Sequence, residues 1–135
     1  MRTLLNVIWF LCAGLWLALG YLAAAVLMFL LIVTIPFGVA ALRLAGYVLW
    51  PFGYTTVHRP TAGAMPMLGN VLWFVLAGFW IALVHVAIGV GLCLTVVGIP
   101  FGIANFKLAR VALAPLGKQV VPLTDRRAMR RYYRD

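Results

Sequence analysis

The sequence predicts an all-α integral membrane protein made of two tandem helical repeats. Each repeat is a long transmembrane helix followed, after an IPFG pivot, by a shorter helix. Three observations predict this. Hydrophobic residues make up 66% of the chain and charged residues 10%, where a soluble domain carries about a quarter charged residues. No charged side chain occurs from Thr3 to Leu42, and from Pro60 to Phe106 the titratable side chains are His85 and Cys93. Finally, "TIPFGVA" (Thr34–Ala40) returns as "GIPFGIA" (Gly98–Ala104), 64 residues later.

The apolar runs exceed the roughly 18 residues that mark a membrane-spanning helix. They are too long and continuous for one soluble buried-core domain. The first run, behind Arg2, has the layout of a secretory signal. It is longer than such a signal's apolar region, and it recurs in mid-chain, where no signal acts.

Sliding the chain by 64 aligns Asn6–Val57 with Asn70–Val121 without a gap, and 24 of the 52 positions are identical. "NVIWFLCAGLWLAL" falls on "NVLWFVLAGFWIAL", and both Trp pairs and both P-x-G motifs are in register. Composition alone produces scattered Leu and Val matches, not Trp, Pro and Gly in phase. The chain therefore divides into repeat 1 (residues 1–57), a linker (58–69), repeat 2 (70–121) and a basic tail (122–135). A single repeat is not expected to bury its own helix faces, so the two stack.

Within each repeat the first helix is expected at Leu4–Val33 and Leu68–Val97, about 45 Å long at 1.5 Å per residue. Asn6 and Asn70 read as its N-caps. Pro36 and Pro100 disfavour helix in the preceding isoleucine but suit the first turn of a new helix. With Gly38 and Gly102 they are the expected pivots. The second helix, Phe37–Trp50 and Phe101–Ala114, spans about 21 Å, too short to cross a 30 Å hydrocarbon core comfortably. It stops at Pro51 or Pro115.

Six of the eleven basic residues lie from Lys118 onward, which places the C-terminus in the cytoplasm. Arg2 argues the same for the N-terminus, so the crossings are even in number, two or four. One crossing per repeat gives inverted repeats, and two per repeat give parallel ones. Arg43 and Lys107 at one repeat position, with Arg59 in the linker, lean towards parallel repeats and a cytoplasmic linker.

The stretch "NVLWFVLAGFWIALVHVAIGVGLCLTVVGIPFGIANFKLARVALAPLG", with its weaker copy upstream, resembles the YccF family, a bacterial inner-membrane component domain. The resemblance runs from "MRTLLNVIWF" to "PLGKQVV", and "IPFGIANFK" is its most specific part. It implies a multi-pass protein of the bacterial inner membrane and brings no reaction or ligand with it. The basic tail lies outside it.

The residues offer little chemistry. Asp125 and Asp135, both in the tail, are the only carboxylate side chains, so the membrane part lacks paired acids for general acid–base work and acidic proton relays. Neither phosphate-binding glycine motif occurs. Thr34 and Thr95 have no base beside them in sequence. An enzyme is not expected, and neither is a cofactor.

His85, where repeat 1 has Tyr21, is an intramembrane polar candidate. Without a function it reads as a neutral histidine, hydrogen-bonded to a backbone carbonyl or sitting at an interface like Tyr21. His85 and Cys93 are about 12 Å apart along one helix, so they form no metal site. Cys12 and Cys93, at non-equivalent positions, read as small buried thiols. Arg43, Asn105, Lys107 and Arg110 read either as snorkelling headgroup contacts or as the lining of a path. Asn105, Lys107 and Arg110 form a polar strip, "NFKLAR". Gly14/Ala18 and Gly78/Ala82 form matching small-x-x-x-small notches that let helices approach closely in lipid, whether repeat on repeat or chain on chain. If helical, the tail places Arg126, Arg127, Arg130, Arg131 and Arg134 on one side. That serves as a topology signal or a grip on anionic lipid at about 1 kcal/mol per residue. Nucleic acid is not an expected partner.

Two function classes follow. The first is a non-catalytic membrane module that assembles with itself or with another membrane protein. The second is a homo-oligomeric channel or small transport pathway, which without carboxylates would prefer anions.

Overall fold

A computed structural model describes residues 1–59 and 63–132. The chain is mainly helical, as expected. It divides into two units, one of Met1–Pro66 with Leu116–Asp135 and the other of Met67–Pro115.

Unit 1 opens with α1 (Arg2–Trp9), a single π-helical turn over Phe10–Gly14, and α2 (Leu15–Leu30). Together these form one 29-residue apolar helix. The π-turn arises because the Leu15 N–H bonds back five residues to the Phe10 carbonyl, a one-residue insertion in the helical ladder. The chain then turns through Leu31, in extended conformation, and a 3₁₀ turn over Ile32–Thr34. α3 (Ile35–Leu49) returns and packs on α2.

Past Pro51 and Phe52, Gly53 takes φ 103°, a left-handed conformation that costs glycine little. It turns the chain into β1 (Tyr54–His58). This strand pairs antiparallel with β2 (Lys118–Pro122), with Thr55 opposite Val121. The sequence analysis anticipated no strand here. Three-turn helices need longer apolar runs, whereas β1 is short and β-branched at three of its five positions, Thr55, Thr56 and Val57. The basic tail is helical. α7 (Arg126–Tyr132) is N-capped by Asp125, whose carboxylate accepts the N–H groups of Arg127 and Ala128 at 3.0 and 3.1 Å. Its Ala128 is buried with Val57 and Val121 in a small core under the ribbon.

Unit 2 repeats the hairpin. α4 (Met65–Trp73) begins just before it, and a π-turn over Phe74–Gly78 and α5 (Phe79–Cys93) complete a second 29-residue helix. A turn at residues 94–98 leads to α6 (Ile99–Leu113), which packs on α5. Gly117, at φ 76°, plays the part of Gly53.

Among the described residues, three helices are long and apolar enough to cross a membrane: Arg2–Leu30, Ile32–Leu49 and Met65–Cys93. The second is longer than the helix of about 21 Å expected for repeat 1, because its preceding 3₁₀ turn brings it to 18 residues.

The pivots also differ from expectation. Ile35 is helical at φ −49°, ψ −45°, although a following proline disfavours that region. The break falls earlier, at Leu31 in repeat 1 and after Cys93 in repeat 2. Pro36 and Pro100 lie inside the first turns of α3 and α6, where a missing N–H costs nothing. Gly38 and Gly102 bend nothing. They give room to a facing side chain from the long helix, the Phe29 ring in one case and the Cys93 thiol in the other.

Candidate functional site

Each hairpin is held by one long-range device. The indole N–H of Trp9 donates to the Val48 carbonyl at 2.7 Å, and that of Trp73 donates to the Ala112 carbonyl at the same distance. Both acceptors lie in the last turn of a short helix, where carbonyls have no partner within the helix. The ring passes over a glycine five residues on. A Cβ at Gly14 or Gly78 would stand 2.7 Å from the tryptophan Cδ1, which only a bare backbone avoids. The π-turn between Trp and Gly sets this phase. Ala18 and Ala82 are buried on the same face. The small-residue notches are thus filled from within their own hairpin, so Gly14 and Gly78 are occupied before any chain-on-chain contact.

Asn6 is no N-cap. It lies inside α1, fully buried, and exchanges two hydrogen bonds with Phe52: its amide donates to the carbonyl at 2.8 Å and its oxygen accepts the N–H at 3.0 Å. This clamp pins the P-x-G turn beside the start of the chain. Asn70 likewise lies inside α4 rather than at its cap.

His85 and Asn105 form the main polar pair of unit 2, both buried, with His85 Nδ1 3.0 Å from Asn105 Oδ1. The Asn105 amide donates to the Phe101 carbonyl at 3.1 Å, which leaves its oxygen facing the histidine. An amide oxygen only accepts, so Nδ1 carries the proton.

The expected path residues are not brought together. Asn105 is turned into the hairpin, so "NFKLAR" is not one strip. Lys107 is half-buried and Arg110 exposed. At 100° per residue these two share a side of α6 that Asn105 does not. Cys12 is exposed and Cys93 half-buried, both as free thiols. The expectation of a buried thiol therefore fails at Cys12. Arg126, Arg127 and Arg130 are exposed on α7. Arg134 and the Arg131 side chain lie outside the described residues.

Arg43 is placed differently again. It lines a cavity of 490 Å³ in unit 1, formed by α3 and the ribbon, with Tyr47, Trp50, Tyr54, Arg59 and Gln119. Arg59 and Gln119 were missed from sequence. Only the pairing of β1 with β2 carries them to α3, and the signal available was the strand-like alternation in "YTTV" and "KQVV" after each P-x-G.

The model of the YccF inner membrane component domain matches the chain twice, over residues 4–54 and 68–118. The chain belongs to the YccF family. It is 35% identical to the inner membrane protein YccF of Escherichia coli (strain K12), over 96% of this chain and 94% of that protein. The Shigella flexneri protein of the same name matches to the same extent. No solved structure matches it. The family and the three spans place it in the inner membrane. The two family matches cover the two hairpins with their P-x-G turns. Most of β2 and all of α7 lie beyond the second match.

Proposed function

We propose that this YccF-family protein is a non-enzymatic inner-membrane module that self-assembles through the outer faces of its long helices. The observation that carries this is the pair Trp16 and Trp80. They are equivalent in the two repeats, lie midway along 29-residue spans, and are 69% and 62% exposed. Tryptophan normally sits at the membrane interface. At mid-span its N–H faces hydrocarbon, and neither indole donates a hydrogen bond among the described residues. An acceptor on a neighbouring copy removes that cost. Only 22% of the most apolar window of each long helix is buried, so ample surface remains for such contact. The buried polar groups Asn6, His85 and Asn105 are engaged within their own units.

Both ends lie on the cytoplasmic side, which makes the crossings even in number, and the fourth beside the three spans is the return of α6 along α5. The support is that Asn6 ties the start of α1 to the turn before β1, and α7 packs on that same strand. Arg2, Arg59 and Lys118, together with Arg126, Arg127 and Arg130, therefore gather at one end of unit 1, the pattern of a cytoplasmic face.

The test is the mass of the full chain in mild detergent by light scattering, with anion flux from liposomes measured alongside. The expected result is a defined oligomer that Trp16→Leu and Trp80→Leu dissociate and that carries no flux. A monomer overturns self-assembly. Anion flux that falls in Lys107→Ala replaces the module with an oligomeric channel.

A further inference from the structure

The cavity beside α3 holds two guanidinium groups. Arg43 comes from the helix and Arg59 from just past β1, and they are close enough that the charge of one acts on the other. The two like charges share one partly exposed cavity, an arrangement that attracts an anion. The chain supplies none among the described residues. Asp125, the carboxylate side chain there, is committed to the start of α7.

The remaining walls describe the missing anion further. Tyr47, Trp50 and Tyr54 offer flat, amphipathic surfaces, and Gln119 offers an amide. Guanidinium forks match phosphate oxygens two at a time. The volume, 490 Å³, falls in the range of about 300–1,000 Å³ that holds organic ligands, well beyond bare phosphate. Trp50 is the first residue past the Ile32–Leu49 span, so the cavity opens at the depth of lipid phosphates.

We propose that this pocket binds the phosphate of an anionic ligand that also carries an organic group, with Arg43 and Arg59 as the phosphate grip. The source is either a phospholipid headgroup or a soluble phosphate ester. Repeat 2 does not reproduce the lining. Where repeat 1 has Gly46, Tyr47, Trp50 and Tyr54, repeat 2 has Arg110, Val111, Ala114 and Lys118, which removes both the aromatic walls and the open space. The assignment goes beyond the assembly reading and does not depend on it.

The test uses the full chain in mild detergent. Native mass spectrometry counts retained phosphatidylglycerol, and thermal shift reads binding of glycerol 3-phosphate and of inorganic phosphate. Arg43→Gln and Arg59→Gln should each weaken binding about tenfold, the usual loss with one charged hydrogen-bonding partner. Gly46→Leu should abolish it by filling the pocket, since a Cβ there meets nothing within 4 Å and the fold should tolerate the change. Arg2→Gln, exposed at the start of α1 and outside the lining of the pocket, should leave binding unchanged. One retained phosphatidylglycerol per chain with this pattern supports the site with a lipid source. A glycerol 3-phosphate shift with the same pattern and no retained lipid supports it with a soluble source. Binding that follows Arg2→Gln, binding indifferent to Gly46→Leu, or no binding of any probe overturns the assignment. Should an arginine variant fail to fold, Gly46→Leu alone decides.

Discussion

The two hairpins carry the same frame and different interiors. Trp9 and Trp73 close both with the same hydrogen bond over the same glycine. Elsewhere large and small residues have traded places. In repeat 1 the Phe29 ring of the long helix lies over Gly38 of the short one. In repeat 2 the Phe106 ring of the short helix lies over Gly89 of the long one, and the position of Phe29 is held by Cys93. Likewise Tyr21 and Ala41 of repeat 1 correspond to the bonded pair His85 and Asn105. After duplication, closure of the hairpin stayed fixed while the filling changed in compensating pairs. Close-packed interiors tolerate volume moved across an interface better than volume lost.

The comparison breaks most visibly at the frame. Trp9→Ala and Trp73→Ala should each cost about 3–5 kcal/mol, the range for removing a buried tryptophan. Thermal unfolding in detergent measures this, and near-equal losses in the two repeats are expected. Gly14→Ala and Gly78→Ala should follow at about 1–3 kcal/mol, because the new Cβ forces the indole off its carbonyl. A small loss in one repeat only would mean that the frames are not equivalent.

The interiors are sharpened by swapping them. Asn105→Ala leaves the His85 Nδ1–H without its acceptor and should cost about 1–3 kcal/mol. The double change His85→Tyr with Asn105→Ala rebuilds the repeat 1 pair and should recover most of that loss. If the double variant is no better than the single ones, the pairs are not interchangeable.

Asn6→Ala removes both bonds to Phe52 and should cost about 1–3 kcal/mol, with faster hydrogen exchange confined to the P-x-G turn and the ribbon. The smallest effect belongs to the ribbon's cover. Asp125→Ala should lose about 1 kcal/mol of helix capping, seen as exchange in α7 with the hairpins unaffected.

Much of this architecture was legible in the chain, because it rests on local signals. Apolar runs fixed the long helices, IPFG marked the start and P-x-G the end of each short helix, and the register of 64 revealed the duplication. What escaped notice depends on distant partners. Asn6 reads locally as a cap and Trp9 as a repeat marker, yet their acceptors lie 46 and 39 residues away. The hint was that N-x-x-W precedes P-x-G at equal distance in both repeats, at Asn6 and Pro51 and again at Asn70 and Pro115. Asn105 and Arg43 were grouped as polar residues on related short helices, but helix phase and strand pairing send one to His85 and the other to Arg59.

The ribbon carries a consequence for synthesis. β1 leaves the ribosome with no strand beside it, and its partner, with Val121 opposite Thr55, is made only after the whole second hairpin. Until then the Arg59 side of the 490 Å³ cavity has neither Gln119 nor Val120 to complete it. Ribbon closure is therefore a late, non-local event. A chain cut short inside the second hairpin keeps an open strand edge on unit 1, and such edges recruit other chains. The first hairpin closes on its own tryptophan, but the ribbon that completes unit 1 waits for the last strand.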